Sequence, residues 1–217
     1  MTVRTVLFDL DGTLVDSLED LADAVNYMLD RSGRTPLGLA TLRKMLGSGV
    51  RELIRRALST DSGPEIEKGI KLFLDFNTNH IADKSRLYPG VPEVLERLAA
   101  HDIGLAIISN KNEALSRLIL HKLGIDQYFG VICGGDTFDE MKPSPLPLRR
   151  VLERLDKPAE SAVMVGDSIN DILAGKRAGI TTIGCRWGYG DAEELREAAH
   201  LAASCAELGV ILLKDGI

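Results

Sequence analysis

Apolar positions along the chain follow two different rhythms, and the places where one gives way to the other divide it into segments. Val6-Leu7-Phe8 is a short continuous apolar run, which predicts a buried strand, and it stops at two carboxylates, Asp9 and Asp11. From Asp16 to about Arg86 the spacing is helical and no strand is expected. Leu18, Leu21, Ala22, Val25, Met28 and Leu29 predict a helix that Ser17 can cap and Gly33 can stop. A second helix is expected from Leu39 to Leu46. Gly47-Ser48-Gly49 interrupts it, and a third follows through Leu53, Ile54, Ala57 and Leu58. After Gly63-Pro64, a fourth carries Ile66, Ile70, Phe73, Leu74 and Ile81 up to Tyr88-Pro89-Gly90.

Beyond Arg86 short β-rich runs alternate with helices. Strands are expected at Ile103 to Ser109, Gly130 to Gly135, Ser161 to Val165 and Thr181 to Gly184. The helices between them carry Val94, Leu95 and Leu98, then Leu148, Val151, Leu152 and Leu155, then Ile172, Leu173 and Ala178; one more begins at Asn112, which can cap it. The tail from Ala192 to Leu213 reads as helical with one edge strand. Strands separated by single helices imply parallel pairing with right-handed crossovers. The predicted class is therefore α/β: a Rossmann-like doubly wound parallel sheet formed by residues 1–15 and 87–217, with a small all-helical cap, residues 16–86, inserted after the first strand.

Composition narrows the choice of partners. The 217 residues are 45% hydrophobic and 27% charged with a net charge of −6, which suits a globular protein and argues against a general nucleic-acid binder. No apolar stretch approaches the length of a membrane span, and a candidate functional residue already stands at position 9, so a cytoplasmic protein is expected. Cys133, Cys185 and Cys205 are odd in number and show no CxxC spacing, which predicts buried free thiols rather than disulfides or a zinc site. The histidines have no metal-like spacing. A monomer or homodimer is expected.

Three predicted strands end in polar residues: Asp9 with Asp11, Ser109 with Asn110, and Asp167 with Asp171 four residues on. In an open parallel sheet these ends converge on one edge, where ligands bind. Lys142, before a predicted helix, can join them. Each group alone has an ordinary explanation: a solvated strand end, a helix-capping loop, a surface lysine, acids favoured at a helix N-terminus. Together they gather carboxylates that repel one another unless a cation is present, and hard oxygen ligands favour Mg2+ over zinc or copper.

Asp9-Leu10-Asp11-Gly12-Thr13-Leu14, Ser109-Asn110, Lys142-Pro143 and Gly166-Asp167-Ser168 with Asp171 resemble, in order, the four motifs of the haloacid dehalogenase superfamily. Within it, Leu46-Gly47-Ser48-Gly49, Ser109-Asn110-Lys111 and Gly188-Tyr189-Gly190 resemble bacterial phosphoglycolate phosphatases. The resemblance implies an Mg2+-dependent phosphatase for small phosphomonoesters. Asp9 would be the nucleophile, Asp11 the acid and then the base, and Lys142 the counter-charge. Asp9, the Asp11 carbonyl and Asp167 would hold metal, with Asp171 behind them. The Ser109 hydroxyl and the Asn110 backbone N–H would hold phosphate oxygens, and Gly12 would allow close backbone approach. In the cap, Gly47, Ser48, Gly49 and Arg51 are expected near the substrate; Arg43, Lys44, Arg51, Arg55 and Arg56 form a basic group that a solvated helix face explains, the sharper expectation being that one or two of them, Arg51 foremost, meet a second anionic group. A phosphomutase of the β-phosphoglucomutase type shares this core and is the alternative; a dehalogenase or a non-catalytic module fits less well.

Overall fold

A computed structural model describes residues 2–214. Strand β1 (Thr5–Phe8) lies in the middle of a six-stranded sheet, with β4 (Gly104–Ile108) and β5 (Val131–Cys133) on one side. On the other side lie β6 (Ala162–Gly166), β7 (Thr181–Cys185) and β8 (His200–Ala202). Every pairing in it is parallel, Thr5 standing opposite both Gly104 and Ala162. The chain moves outward from β1 through β4 to β5, then crosses back to β6 and moves outward the other way, the doubly wound arrangement expected.

Successive side chains on a strand point to opposite faces, so each run must be apolar on both. Val6 and Phe8 pack into a layer with helices α5 (Val91–Ala100), α6 (Glu113–Lys122) and α9 (Cys205–Leu213). Leu7 faces α7 (Leu146–Leu155) and α8 (Ile169–Ala178) through Leu148, Val151 and Ala174. All three cysteines are free and buried in these layers. Among the described residues no helix is long and apolar enough to cross a membrane.

Helices α1 (Leu18–Arg31), α2 (Leu39–Arg43), α3 (Gly49–Leu58) and α4 (Gly63–Asn79) form the cap. Its apolar stripe closes on itself, with Val25, Met28, Leu53, Ile54 and Phe73 in one cluster separate from the sheet layers. The two connections to the core pair as an antiparallel ribbon, β2 (Val15–Asp16) against β3 (Arg86–Leu87). Strands of two residues are too short to show alternation, which is why none was expected there. Asp20, buried on α1, accepts from the Lys84 and Ser85 backbone N–H groups and from the Ser85 hydroxyl, tying the cap to the second connection.

Local details depart from the sequence reading in several places: the fourth cap helix ends at Asn79, so Ile81 lies beyond it. The second cap helix ends at Arg43 rather than Leu46, and turns fill the gap before α3. The tail is not helical from Ala192: turns precede β8, and α9 begins only at Cys205, after Ser204 accepts from the Glu207 N–H at 3.2 Å. Ser17 precedes α1 but makes no side-chain cap; its hydroxyl donates instead to Asp11 Oδ1 at 2.5 Å.

Candidate active site

The sheet order places the ends of β4, β1 and β6 side by side. Asp9 N–H still donates to the Val165 carbonyl at 2.9 Å, and Ser109 N–H to that of Cys133 at 2.9 Å, so each loop leaves the carboxyl edge from a fixed backbone position. Lys142 arrives from the loop between β5 and α7. Its ammonium lies 2.9 Å from Asp9 Oδ1 and 2.6 Å from Asp171 Oδ1, with its side chain 2% exposed.

Carboxylate oxygens of Asp9, Asp167 and Asp171 all lie within 4.8 Å of one another. Three carboxylates against one ammonium leave two negative charges uncompensated in a buried space. Burial, then the Asp171 charge, raise Asp9 to about 8 in spite of Lys142. Burial and Asp171 likewise raise Asp167 to about 7, although the Tyr189 backbone N–H and the Thr13 hydroxyl oppose the shift. Burial works against charge on Lys142, but Asp171 and Asp9 outweigh it and hold the ammonium above its usual range. Asp171 is the most heavily engaged of the three: Oδ1 faces Lys142, and Oδ2 accepts from the Ser168 N–H and hydroxyl in a capping box at the start of α8. The carboxylate oxygens of Asp9, Asp167 and Asp171 are near enough to one another to share a cation. An all-oxygen set with this charge deficit fits a hard divalent ion.

Asp167 is oriented by contacts the sequence reading did not foresee. Thr13 Oγ1 donates to its Oδ1 at 2.9 Å and the Tyr189 N–H to its Oδ2 at 2.6 Å. The approach is close enough that a Cβ on Gly12, which has φ +86°, or on Gly188 would overlap the Asp167 side chain. Tyr189 also accepts from the Ser17 N–H through its hydroxyl at 2.7 Å, so one residue reaches both the acid cluster and the first connection to the cap. Asp11 projects into the same chamber as Asp9. It accepts from Ser17, and Lys111 Nζ stands 3.1 Å from its Oδ2 and 3.3 Å from its Oδ1. Ser109 Oγ accepts from the Lys111 N–H at 3.2 Å, which leaves its hydroxyl hydrogen free to donate.

The cap closes over this edge through the loop between α2 and α3. The Gly47 carbonyl accepts from Asn110 Nδ2 at 2.9 Å and from Asn170 Nδ2 at 3.0 Å, and Arg43 donates to the Gly188 and Tyr189 carbonyls. Between cap and core lies a chamber of about 790 Å³, lined by Asp9, Asp11, Ser109 and Asp167 below and by apolar cap residues such as Leu53 and Phe73 above.

Gly47 and Gly49 line the chamber. Ser48 does not; it immediately precedes α3. Arg51 is a correction: its guanidinium is 61% exposed and turned to Glu67 on α4, away from the chamber. Arg55 and Arg56 are likewise drawn to Glu52 within the cap. Asn110 was read for its backbone N–H, yet its side chain is also engaged, bridging the Gly47 and Lys142 carbonyls. Lys111 follows Ser109 and Asn110 in the sequence, and the resemblance assigns it no role. Its signal was adjacency to Ser109 and Asn110 on a strand-end loop. Asn170 had no local signal, since it meets Gly47 across 123 positions.

Residues 6–185 match the model of the haloacid dehalogenase-like hydrolase family. A phosphoglycolate phosphatase of Chromobacterium violaceum is 40% identical over 220 residues, covering 99% of this chain and 98% of its own. One from Neisseria meningitidis is 43% identical over 194 residues, 87% of this chain and 83% of its own. Among solved structures, that of a predicted phosphoglycolate phosphatase from Haemophilus somnus superposes with a TM-score of 0.92 at 29% identity, covering 97% of this chain and 98% of its own. CbbY from Rhodobacter sphaeroides, solved with phosphate, gives 0.82 at 30% identity, covering 96% and 97%.

Proposed function

The chain belongs to the haloacid dehalogenase-like hydrolase family, and from that premise we propose that it is an Mg2+-dependent phosphatase acting on small phosphomonoesters through a phosphoaspartate at Asp9, with 2-phosphoglycolate as substrate. Its relatives over nearly the whole chain, named phosphoglycolate phosphatases, support a phosphoric monoester hydrolase. The observation that carries the mechanism is Asp9 standing beside Lys142 at the meeting point of three strand ends, in a chamber that also contains Asp11.

Asp9 Oδ1 is held by the Leu10 N–H at 2.7 Å and by Lys142, which fixes the carboxylate for in-line attack. In the first step an Asp9 oxygen bonds to phosphorus and the ester P–O bond breaks. Asp11 gives its proton to the departing alkoxide. In the second, Asp11 takes a proton from water, the water oxygen bonds to phosphorus, and the Asp9–phosphorus bond breaks to release phosphate. Such proton transfers contribute about 10²- to 10⁴-fold. Lys142 and the Ser109 hydroxyl stabilise charge on the phosphoryl oxygens. Mg2+, held by Asp9, Asp167 and the Asp11 carbonyl, would supply the remaining positive charge to the transferring group.

Two linked results test this reading. Phosphate release from 2-phosphoglycolate should require Mg2+, stop with a chelator and return on adding Mg2+ back. Mg2+ should also raise the melting temperature, more at pH 8 than at pH 5. Without a cation, Asp9 and Asp167 are raised from 3.8 in the unfolded reference to about 8 and about 7. A carboxylate whose folded pKa is raised loses stability as pH climbs from the unfolded value through the folded one, and that loss is what a cation offsets. Activity unaffected by chelation, or an Mg2+ shift that is absent at pH 8, would overturn the metal assignment.

The volume of the chamber favours a second substrate reading within the same chemistry. About 790 Å³, apolar on the cap side, is far more than a two-carbon phosphomonoester fills, which suits a larger phosphorylated metabolite. A kinetic screen across phosphorylated metabolites of increasing size separates the two, the true substrate having the highest kcat/KM.

A further inference from the structure

We propose that Lys111, and not a cap arginine, binds the second anionic group of the substrate, a carboxylate close to the phosphate ester. This rests on the phosphatase reading and specifies which substrates that site selects. The argument begins with the cations around the chamber. Lys142 is engaged by Asp9 and Asp171. Arg43 is spent on the Gly188 and Tyr189 carbonyls, and Arg51 faces Glu67 on the outer side. Lys44 lines the rim but is exposed. Lys111 differs from all of these: it lines the chamber, its side chain is 7% exposed, and the described polar contacts of its ammonium are with one carboxylate, Asp11.

Its backbone is fixed as well. The Lys111 N–H donates to Ser109 Oγ at 3.2 Å and its carbonyl accepts from the Gly135 N–H at 2.8 Å, so the residue extends from the same loop that presents Ser109. An ammonium has three donors; Asp11 does not exhaust them, and one can turn to a ligand. The ammonium thus stands one carboxylate away from the position the leaving oxygen must occupy to receive a proton from Asp11. An anionic group attached to the carbon next to that oxygen falls within its reach. The chamber lining also includes the apolar side chains of Leu21, Leu53 and Leu115, which lower the local dielectric, where ion pairing is strongest. A neutral ester gains nothing from Lys111.

The test compares two substrates in two variants of the full chain. Lys111→Gln and Lys111→Arg are assayed with 2-phosphoglycolate and with 2-hydroxyethyl phosphate, whose leaving group is also an alkoxide but carries no carboxylate, both with Mg2+. Any effect of Lys111 on Asp11 is common to both substrates and cancels in the ratio of kcat/KM values. Lys111→Gln should lower that ratio by about 10- to 100-fold, mostly through KM for 2-phosphoglycolate, as expected for losing one charge-assisted contact. Lys111→Arg should recover part of it. Equal losses on both substrates, or a loss confined to kcat, would overturn the proposal. A wild-type protein that hydrolyses neither substrate would instead overturn the phosphatase reading, and this inference with it.

Discussion

Asp9→Asn should lower phosphate release by about 10⁴-fold or more while leaving the protein folded. The amide keeps the shape of the side chain but cannot attack phosphorus, so no alternative nucleophile is created. Stability should not suffer, because the substitution removes one charge from a cluster in which three carboxylates face a single lysine. In chelator the variant should melt at or above the wild-type temperature, since the carboxyl it removes is one that burial and Asp171 already disfavour as an anion. Steady-state assays and thermal denaturation followed by circular dichroism check both halves. Substantial Mg2+-dependent turnover by a folded Asp9→Asn protein would remove Asp9 from the role of nucleophile.

Lys142→Met should have the opposite effect on stability. Lys142 is the ammonium that touches Asp9 and Asp171, both buried, and its own side chain is 2% exposed. Methionine fills a similar volume but leaves those carboxylates facing Asp167 without a counter-charge. Breaking a buried ion pair from one side costs about 3–5 kcal/mol, and in a domain of this size that lowers the melting temperature by roughly 6–20 °C. Turnover should fall by about 10²- to 10³-fold as well, because charge on the phosphoryl group and on Asp9 is no longer offset. Adding Mg2+ should recover part of the stability and little of the activity. A change in melting temperature of less than about 2 °C in chelator would mean that the lysine does not compensate the cluster.

The contrast between these two substitutions follows from features that the sequence carries unequally. The strand before Asp9 is legible because Val6, Leu7 and Phe8 are apolar on both faces, as a central parallel strand must be. The strand-end positions of Asp9, Ser109 and Asp167 follow from where such runs stop, and parallel pairing then brings those ends to one edge. The ribbon joining cap to core was not legible, because two-residue strands carry no pattern. The direction of Arg51 was not legible either. Its charge is plain in the sequence, but which way it points depends on how α3 rotates against α4, and Glu67 lies on that other helix. Lys111 and Asn170 depend on tertiary meetings as well, one with Asp11 across 100 positions and the other with Gly47 across 123.

Tyr189 and Arg43 show how the cap and the acid cluster communicate in the closed arrangement. Arg43 lies on the cap and grips the carbonyls of residues 188 and 189, while the Tyr189 N–H orients Asp167. Opening the cap must release that grip and the two amide contacts to Gly47. Lid movements of this kind commonly accompany substrate entry and product release.

The central claim, that the phosphoryl group passes through Asp9, is tested most directly by locating it during one turnover. Enzyme in excess over 2-phosphoglycolate, with Mg2+, is quenched in acid at intervals from milliseconds onward, and the peptide containing residue 9 is examined by mass spectrometry. The account predicts a phosphoryl group on Asp9 that rises before free phosphate appears, declines as it is released, and is discharged by hydroxylamine. Release of a full equivalent of phosphate with Asp9 unmodified at every interval, or with the phosphoryl group on another residue, would contradict it.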